Sequence, residues 1–418
     1  MRRLNIAVLD EELPFPLTSG KRIRTFNLLA RLAPRHNVTV LCHRNPDRDE
    51  ALAAEEAFRD AGIETVVVDR AVPSKSGPGF YARLAGNLLS PLPYSVSTHT
   101  SPALAEAARA FDAERDVDVW HCEWTPYAQV LRAALGPKLG AARWTVMAHN
   151  VESLIWRRYA ETAENPMKRW YIRRQLRKFE RFERWAYAAA TTAVAVSRED
   201  AALMRAEFGG RRVRVVENGV DVAYFRPQRD VERTPAQMLF MGSLDWRPNQ
   251  DAAAQLLTHI LPAVRAEVPH ATAVLVGRRP PEWLRALAAD TPGAELHADV
   301  PDVRPFLARC EFLTVPLRIG GGSRLKILEA LATGTPVVST RVGAEGLELE
   351  PNRDLLVAET PEGMVNATLA AIRAGDQLQD TAESGRQRVL ARYSWELLAE
   401  RLDDVWTSAV RQPAYVGS

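Results

Sequence analysis

The feature that most constrains this chain is the repeated alternation of short strand-like runs with longer helical stretches. Candidate strands are Leu4–Leu9, Asn37–Cys42, Glu64–Asp69, Val117–Cys122, Trp144–Ala148, Thr192–Val196, Val213–Glu217, Met238–Met241, Thr272–Val276, Phe312–Val315 and Pro336–Ser339. Most are rich in Val and Ala with little polar alternation, the pattern of strands buried on both faces of a parallel sheet covered by helices. Strands separated by helices give βαβ units with right-handed crossovers. So many strands exceed one comfortable doubly wound sheet, and two Rossmann-like α/β domains are the economical reading. The boundary is expected between Ser197 and Met238, where Phe208-Gly209-Gly210 is a chain breaker and 227–235 is polar and Pro-flanked. This places one domain at 1–210 and the next at 211–394. A last helix follows from 395, with Ser394 as its N-cap and Leu397 at N3.

Composition narrows the function classes. Lys plus Arg (54) against Asp plus Glu (52) leaves +2 over 418 residues, no basis for a protein that coats nucleic acid. No apolar run reaches the ~18 residues of a membrane span. The opening Met1-Arg2-Arg3-Leu4-Asn5-Ile6-Ala7-Val8-Leu9-Asp10 reads as a first strand rather than a signal peptide. Cys42, Cys122 and Cys310 form no CxxC and no disulfide framework, which suits a reducing cytoplasm. Asp116-Val117-Asp118 looks like a metal-binding acidic pair, but its place at a strand start makes it a polar strand entrance. No essential metal is expected.

In open α/β sheets, ligands bind at the carboxyl ends of strands. The most informative loop there follows Phe312–Val315 and contains Gly320-Gly321-Gly322-Ser323-Arg324-Leu325-Lys326-Ile327-Leu328-Glu329. Glycines let backbone N–H groups approach a ligand closely, and the helix that follows aims its positive N-terminus at the same place. Ser323 is placed to cap that helix. Arg324 and Lys326 supply cations suited to a diphosphate, and Glu329 an acceptor suited to a ribose diol. The alternative is a tight strand-to-helix turn with two solvated cations.

The segment from Gly320 through Glu329-Ala330-Leu331-Ala332-Thr333-Gly334-Thr335-Pro336-Val337-Val338-Ser339-Thr340 resembles the donor site of family 4 (group 1) glycosyltransferases. Other family-like pieces stand in the right order. They are Ser19-Gly20, His149-Asn150, Ala195-Val196-Ser197, Glu217-Asn218-Gly219-Val220-Asp221, Phe240-Met241-Gly242-Ser243, Val276-Gly277-Arg278 and Gly343-Ala344-Glu345-Gly346. The resemblance spans about Leu4 to Leu347. It implies the GT-B fold, two Rossmann-like domains facing across a cleft. The C-terminal domain would hold a nucleotide-sugar donor and the N-terminal domain the acceptor. The last helix, 395–418, would cross back to complete the N-terminal domain.

Carried over residue by residue, Glu329 matches the second glutamate of the family's acidic motif, the one that binds the donor ribose. Gly321 stands where the first would be, so backbone N–H groups of Gly321, Gly322 and Ser323 are the expected substitutes. The family's arginine after the first glycine of the donor domain is replaced by Ser243. Arg247 is displaced, and Arg324 and Lys326 become the main phosphate partners. His149 matches a histidine near the donor sugar, where a neutral ring could hydrogen-bond a hydroxyl. Gly20 resembles the glycine that lets the backbone approach the reacting groups, and Glu345 is a candidate for donor contact. Most of Lys21, Arg22 and Arg24 are expected to be surface charges. The implied reaction is retaining, hexosyltransferase-like transfer from a nucleotide-diphosphate sugar to a saccharide or lipid-linked acceptor in polysaccharide or glycolipid biosynthesis. The acceptor would attack from the front face, with the leaving phosphate as base.

Basic and aromatic residues interleave through 165–185, including Arg173, Arg174, Arg177, Arg181, Trp170, Phe179 and Phe182. Such a helix can lie on anionic lipid, giving peripheral contact at the inner membrane face. The preferred reading is an amphipathic helix whose aromatics pack on its own domain. Nucleic acid has no further support. Two other functions remain open at this point: a nucleotide-sugar epimerase of the same fold, and an inactive nucleotide-sugar-binding partner. No GxGxxG follows the first strand, which disfavours a dehydrogenase.

Overall fold

A computed structural model describes residues 2–70, 76–228, 230–319, 324–360 and 362–412. The chain divides into two compact units, Met1–Glu217 with Leu398–Ser418, and Asn218–Leu397. The first is built on β1 (Asn5–Glu12), β2 (Asn37–His43), β3 (Glu64–Val68), β4 (Val119–Cys122), β5 (Trp144–Ala148), β6 (Thr192–Ala195) and β7 (Val213–Val215). The sheet order is β3-β2-β1-β4-β5-β6-β7, parallel throughout. Strands β4, β5 and β6 are buried along their whole length, as their apolar runs require. The chain runs outward from β1 to β3, then returns to the other side of β1 with β4. That reversal opens a crevice at the carboxyl ends of β1 and β4.

The division falls between Glu217 and Asn218, not at 210/211. The reason is hydrogen bonding: Val213–Val215 is the seventh strand of the first sheet, paired with Ala193–Ala195. Cutting at 210 would strip a strand from its ladder.

The second unit is built on β8 (Thr234–Ser243), β9 (Thr272–Arg278), β10 (Ala294–Ala298), β11 (Cys310–Val315), β12 (Val337–Thr340) and β13 (Leu356–Ala358), in the order β10-β9-β8-β11-β12-β13. Its pairings are also parallel. The reversal here lies between β8 and β11. Gly242 and Gly277 pair across β8 and β9, and a Cβ at Gly277 would stand 2.1 Å from the Gly242 carbonyl oxygen. Only glycine allows that approach. The core of this unit gathers Met238, Phe240, Leu275, Phe312, Leu313, Ile327, Leu328 and Leu331.

The helix Trp395–Arg411 starts in the second unit, and from Leu398 it belongs to the first. Ser394 caps it, its Oγ accepting from the Leu397 N–H at 3.3 Å. Leu398, Leu402, Val405, Trp406 and Ala409 are buried, a helical stripe. Asp403 on the same helix lies 2.9 Å from His36 Nε2 and 3.3 Å from Arg35 Nη1. Asp118, at the amino end of β4, accepts from the Asn5 N–H at 2.9 Å and from Arg2 at 3.1 Å, as a strand entrance would.

Candidate functional site

In the second unit, two helices leave adjacent strands at the sheet's reversal point. Arg247–Gln255 follows β8 and Leu325–Ala332 follows β11, and neither has a side-chain cap. Pro248 offers no N–H, and Asn249 and Ile327 donate to the Trp246 and Arg324 carbonyls at 3.0 Å, so among the described residues the N–H groups of Arg247, Leu325 and Lys326 are the ones left for a ligand or water. Lys326, on the first turn of the second helix, reaches Asn249 on the other, with Nζ 3.0 Å from Oδ1. Its amine also lies 4.6 Å from the centre of the Phe240 ring. Asn249 is held in turn by donating Nδ2 to the Ser243 carbonyl at 2.9 Å. A Cβ at Gly242 would lie 2.8 Å from Lys326 Nζ, so this glycine makes room for the amine.

Glu329 sits one turn beyond Lys326, and both are half-buried. Burial, then repulsion from Arg324, pulls the Lys326 amine down to about 7. Burial raises the Glu329 carboxyl to about 7, against the attraction of Lys326. Both groups thus carry charge in a place that disfavours it, as expected of residues that await a charged or hydrogen-bonding ligand. Arg324 occupies the N-cap with a left-handed backbone, φ 55°. Its buried guanidinium donates to the Val342 carbonyl at 2.9 Å and lies 3.4 Å from Glu345. Arg324 is therefore turned toward the loop after β12, while Lys326 is the cation turned toward Asn249. Arg247 is exposed at the start of its helix. Gly321, Gly322 and Ser323 lie outside the described residues, and the N-cap is Arg324 rather than Ser323.

In the first unit, Gly20 is the first residue of the helix Gly20–Leu32, whose N-cap Ser19 accepts from the Arg22 N–H at 3.3 Å. The cations that follow are not surface charges. Lys21 Nζ lies 2.6 Å from Asp10 and 3.5 Å from Glu11, Arg22 pairs with Glu12 and Glu50, and Arg24 is buried. The acidic run at the end of β1 draws Lys21 and Arg22 inward, while Arg24 donates to the Val216 carbonyl at 2.9 Å. Burial raises the Asp10 carboxyl to about 6, Lys21 opposing and Glu123 assisting. Burial disfavours charge on Lys21, yet Asp10 and Glu11 carry it above the ordinary lysine value.

His149 follows β5 and lies 3.4 Å from Glu123, the residue after β4. Glu123 is buried between His121, at 2.9 Å, and Thr25, which donates to it at 2.8 Å. Asp10 Oδ2 and two guanidinium nitrogens of Arg24 are buried without a hydrogen-bond partner among the described residues. With His149 Nε2, also without such a partner, they make a buried polar cluster with unmet demand at the carboxyl ends of β1, β4 and β5.

Glu123, Asp10 and Asn249 were not legible as site residues. Asp10 lies near the carboxyl end of β1, Glu123 follows β4 and Asn249 sits in the first turn of Arg247–Gln255; only the pairing Leu9↔Cys122 brings Asp10 and Glu123 side by side. For Glu123 the signal available was position alone: a carboxylate one residue past a buried strand.

The 165–185 stretch lies in the helix Pro166–Ala189. Phe179 and Phe182 are buried, and Phe179 stacks on Trp156, so these aromatics pack on their own unit. The opposite face exposes Met167, Trp170, Arg173, Arg174, Arg177, Arg181 and Arg184. Among the described residues no helix is long and apolar enough to cross a membrane. The three cysteines are free and buried.

Comparison with known proteins agrees across both units. Residues 19–224 match the family model described as Glycosyltransferase Family 4, and 235–374 match Glycosyl transferases group 1. A phosphatidyl-myo-inositol mannosyltransferase of Mycolicibacterium smegmatis is 26% identical over 86% of this chain and 89% of its own. A glycogen synthase of Mycobacterium tuberculosis is 27% identical over 49% of this chain, a match that spans half of the synthase. Among solved structures, sucrose-phosphate synthase from Thermosynechococcus elongatus superposes with TM-score 0.70 at 18% identity, covering 97% of this chain and 99% of that one. Anabaena Alr3699/HepE in complex with UDP and glucose gives 0.64 at 14%, covering 97% and 100%. At such identities the structural likeness speaks to the fold.

Proposed function

This chain belongs to the family 4, group 1 glycosyltransferases, with two parallel α/β units of the GT-B kind, and from that premise we propose a specific division of labour. The second unit holds a nucleoside-diphosphate sugar. The first holds a saccharide or lipid-linked acceptor, and the sugar moves with retention of configuration in polysaccharide or glycolipid biosynthesis. The observation that carries this reading is the Lys326–Asn249–Glu329 constellation at two uncapped helix N-termini. Breaking the donor bond develops negative charge on the leaving diphosphate. Helix N–H groups and Lys326 are placed to stabilise it, with Arg324 and Arg247 nearby in sequence and no metal required. Glu329 would take the ribose diol. His149, Gly20 and Glu345 complete the assignment, and the leaving phosphate serves as base. Relatives named as mannosyltransferases and a neighbour solved with UDP-glucose make GDP-mannose and UDP-glucose the first donors to try.

The test is a thermal-shift screen against nucleotides and nucleotide sugars, without metal and then with Mg²⁺. Selective stabilisation by one nucleoside diphosphate without metal is expected. Ligand at a hundred times Kd adds about 2.7 kcal/mol of stability. No response to any nucleotide under either condition would overturn the donor site.

We also propose peripheral contact with the inner membrane face through the exposed side of Pro166–Ala189, supported by its five arginines and by exposed Met167 and Trp170. Each cation near an anionic surface is worth about 1 kcal/mol. The double variant Arg173→Ala/Arg177→Ala should therefore lose on the order of 30-fold in affinity for phosphatidylglycerol vesicles. Sedimentation of wild type and variant at matched salt decides it; equal binding would remove this face from the contact.

A further inference from the structure

We propose that Glu123 is a positioning residue that holds His149 in a single tautomer, with its Nε2 protonated and its Nδ1 lone pair left for a substrate hydroxyl. The inference rests on the reading above that His149 meets the reacting sugar.

Glu123 is 2% exposed, and its backbone N–H donates to the Leu9 carbonyl at 3.0 Å, which fixes it to the β1 edge. Oε2 lies 2.9 Å from His121 Nε2. Oε1 accepts from Thr25 Oγ1 at 2.8 Å; His149 Nε2 lies 3.4 Å from it, buried and making no hydrogen bond of good geometry among the described residues. An ionised carboxylate only accepts, so each imidazole nitrogen that faces it carries a proton. Burial alone would raise the Glu123 carboxyl, but His121 and His149 hold it well below the usual range. The His121 ring is itself pinned. Its Nδ1 lies 2.6 Å from Thr145 Oγ1, and the Trp406 ring meets it edge-on with centroids 5.6 Å apart. Trp406 also meets His36 edge-on, so the C-terminal helix buttresses the ring that anchors Glu123.

The ionisable groups around this carboxylate come from every neighbouring element: Asp10 at the end of β1, Lys21 and Arg24 on Gly20–Leu32, His121 on β4, and His149 after β5. Burial holds the His149 ring to its neutral form. Beside an ionised carboxylate 3.4 Å away, a lone pair on Nε2 would be repelled, so the neutral ring keeps its proton on Nε2 and accepts at Nδ1. It would orient a donor-sugar or acceptor hydroxyl by accepting its proton in a hydrogen bond. This gives Glu123 a role through His149 rather than one on the substrate itself.

The test is ¹⁵N NMR of histidine-labelled full-length protein, with His149→Ala used to assign the resonances. In the wild type at neutral pH, His149 should be neutral and wholly Nε2–H. A predominant Nδ1–H tautomer or an imidazolium there would overturn the proposal without any variant. In Glu123→Gln, whose amide can present either an oxygen or an NH₂, the single tautomer should give way to a mixture; an unchanged spectrum would overturn it. Release of GDP from GDP-mannose, or of UDP from UDP-glucose, supplies the second readout. Glu123→Gln should lower kcat on the order of 10- to 100-fold with little change in KM. In a His149→Ala background the same change should cost nothing further, and Glu123→Asp, still an acceptor only, should keep the tautomer. Additive losses in that cycle would sink the positioning role alone. A His149→Ala enzyme with wild-type turnover would instead sink the reading of His149.

Discussion

Lys326→Ala is expected to weaken nucleoside diphosphate binding about a hundredfold. Removing one member of a hydrogen-bonded charge pair costs ~2–5 kcal/mol, and 1.4 kcal/mol is a factor of ten. The lower half of that range applies, because the Lys326 side chain is half-buried rather than fully enclosed. The fold should not suffer, since burial and Arg324 already act against the charged amine in the empty site. Glu329→Ala removes hydrogen bonds to a charged acceptor, each worth ~1.5–3 kcal/mol, so a loss on the order of 10- to 100-fold is expected.

The same two residues give affinity a pH profile. The diphosphate binds the protonated amine, whose pKa is lowered to about 7, so affinity falls as pH rises through 7. The ribose diol donates to the ionised carboxylate, whose pKa is raised to about 7, so affinity falls as pH drops through 7. Binding is therefore strongest near neutrality. Lys326→Met should flatten the alkaline limb and Glu329→Gln the acid limb. Calorimetric titration with GDP and UDP across about two units of pH measures all three. A flat wild-type profile, or a Lys326→Ala protein with wild-type Kd, would remove the pair from the site.

Trp406→Ala should destabilise the first unit by ~3–5 kcal/mol, the usual cost of emptying a large buried aromatic site. Trp406 has no exposed surface and packs edge-on against both His36 and His121. For a unit of about 240 residues each kcal/mol moves the midpoint by ~2–4 °C, so scanning calorimetry should show a fall of about 6–20 °C. A shift below about 2 °C would mean that the C-terminal helix owes its place in this unit to other residues.

The donor-side helix could be read before any coordinates because its chemistry is local. Lys326 and Glu329 lie three residues apart on one helix, so short-range geometry places them together. The two-sheet architecture was legible for a similar reason: strands such as Trp144–Ala148 are buried on both faces and read as unbroken apolar runs. The edge strands Ala294–Ala298 and Leu356–Ala358 escaped that reading. Each pairs with only one neighbour and keeps much of its length partly exposed, so neither shows a continuous apolar run.

Other features belonged to the tertiary structure alone. Asn249 and Lys326 meet because β8 and β11 are adjacent in the sheet, although most of the unit's first half separates them along the chain. Asp10, Glu123 and His149 converge because parallel pairing lines up the ends of β1, β4 and β5. Lys21 and Arg24 turned inward, where composition suggested surface charge, because buried carboxylates stood at those same strand ends. The seventh strand moved the domain boundary to Glu217 through hydrogen bonds to β6 that no local pattern records. Periodicity and turn chemistry act over a few residues, so they determined which segments became strands and helices. Which strand ends share a crevice, and hence which side chains become neighbours and what charge they carry, depended on long-range pairing and on the burial that follows from it.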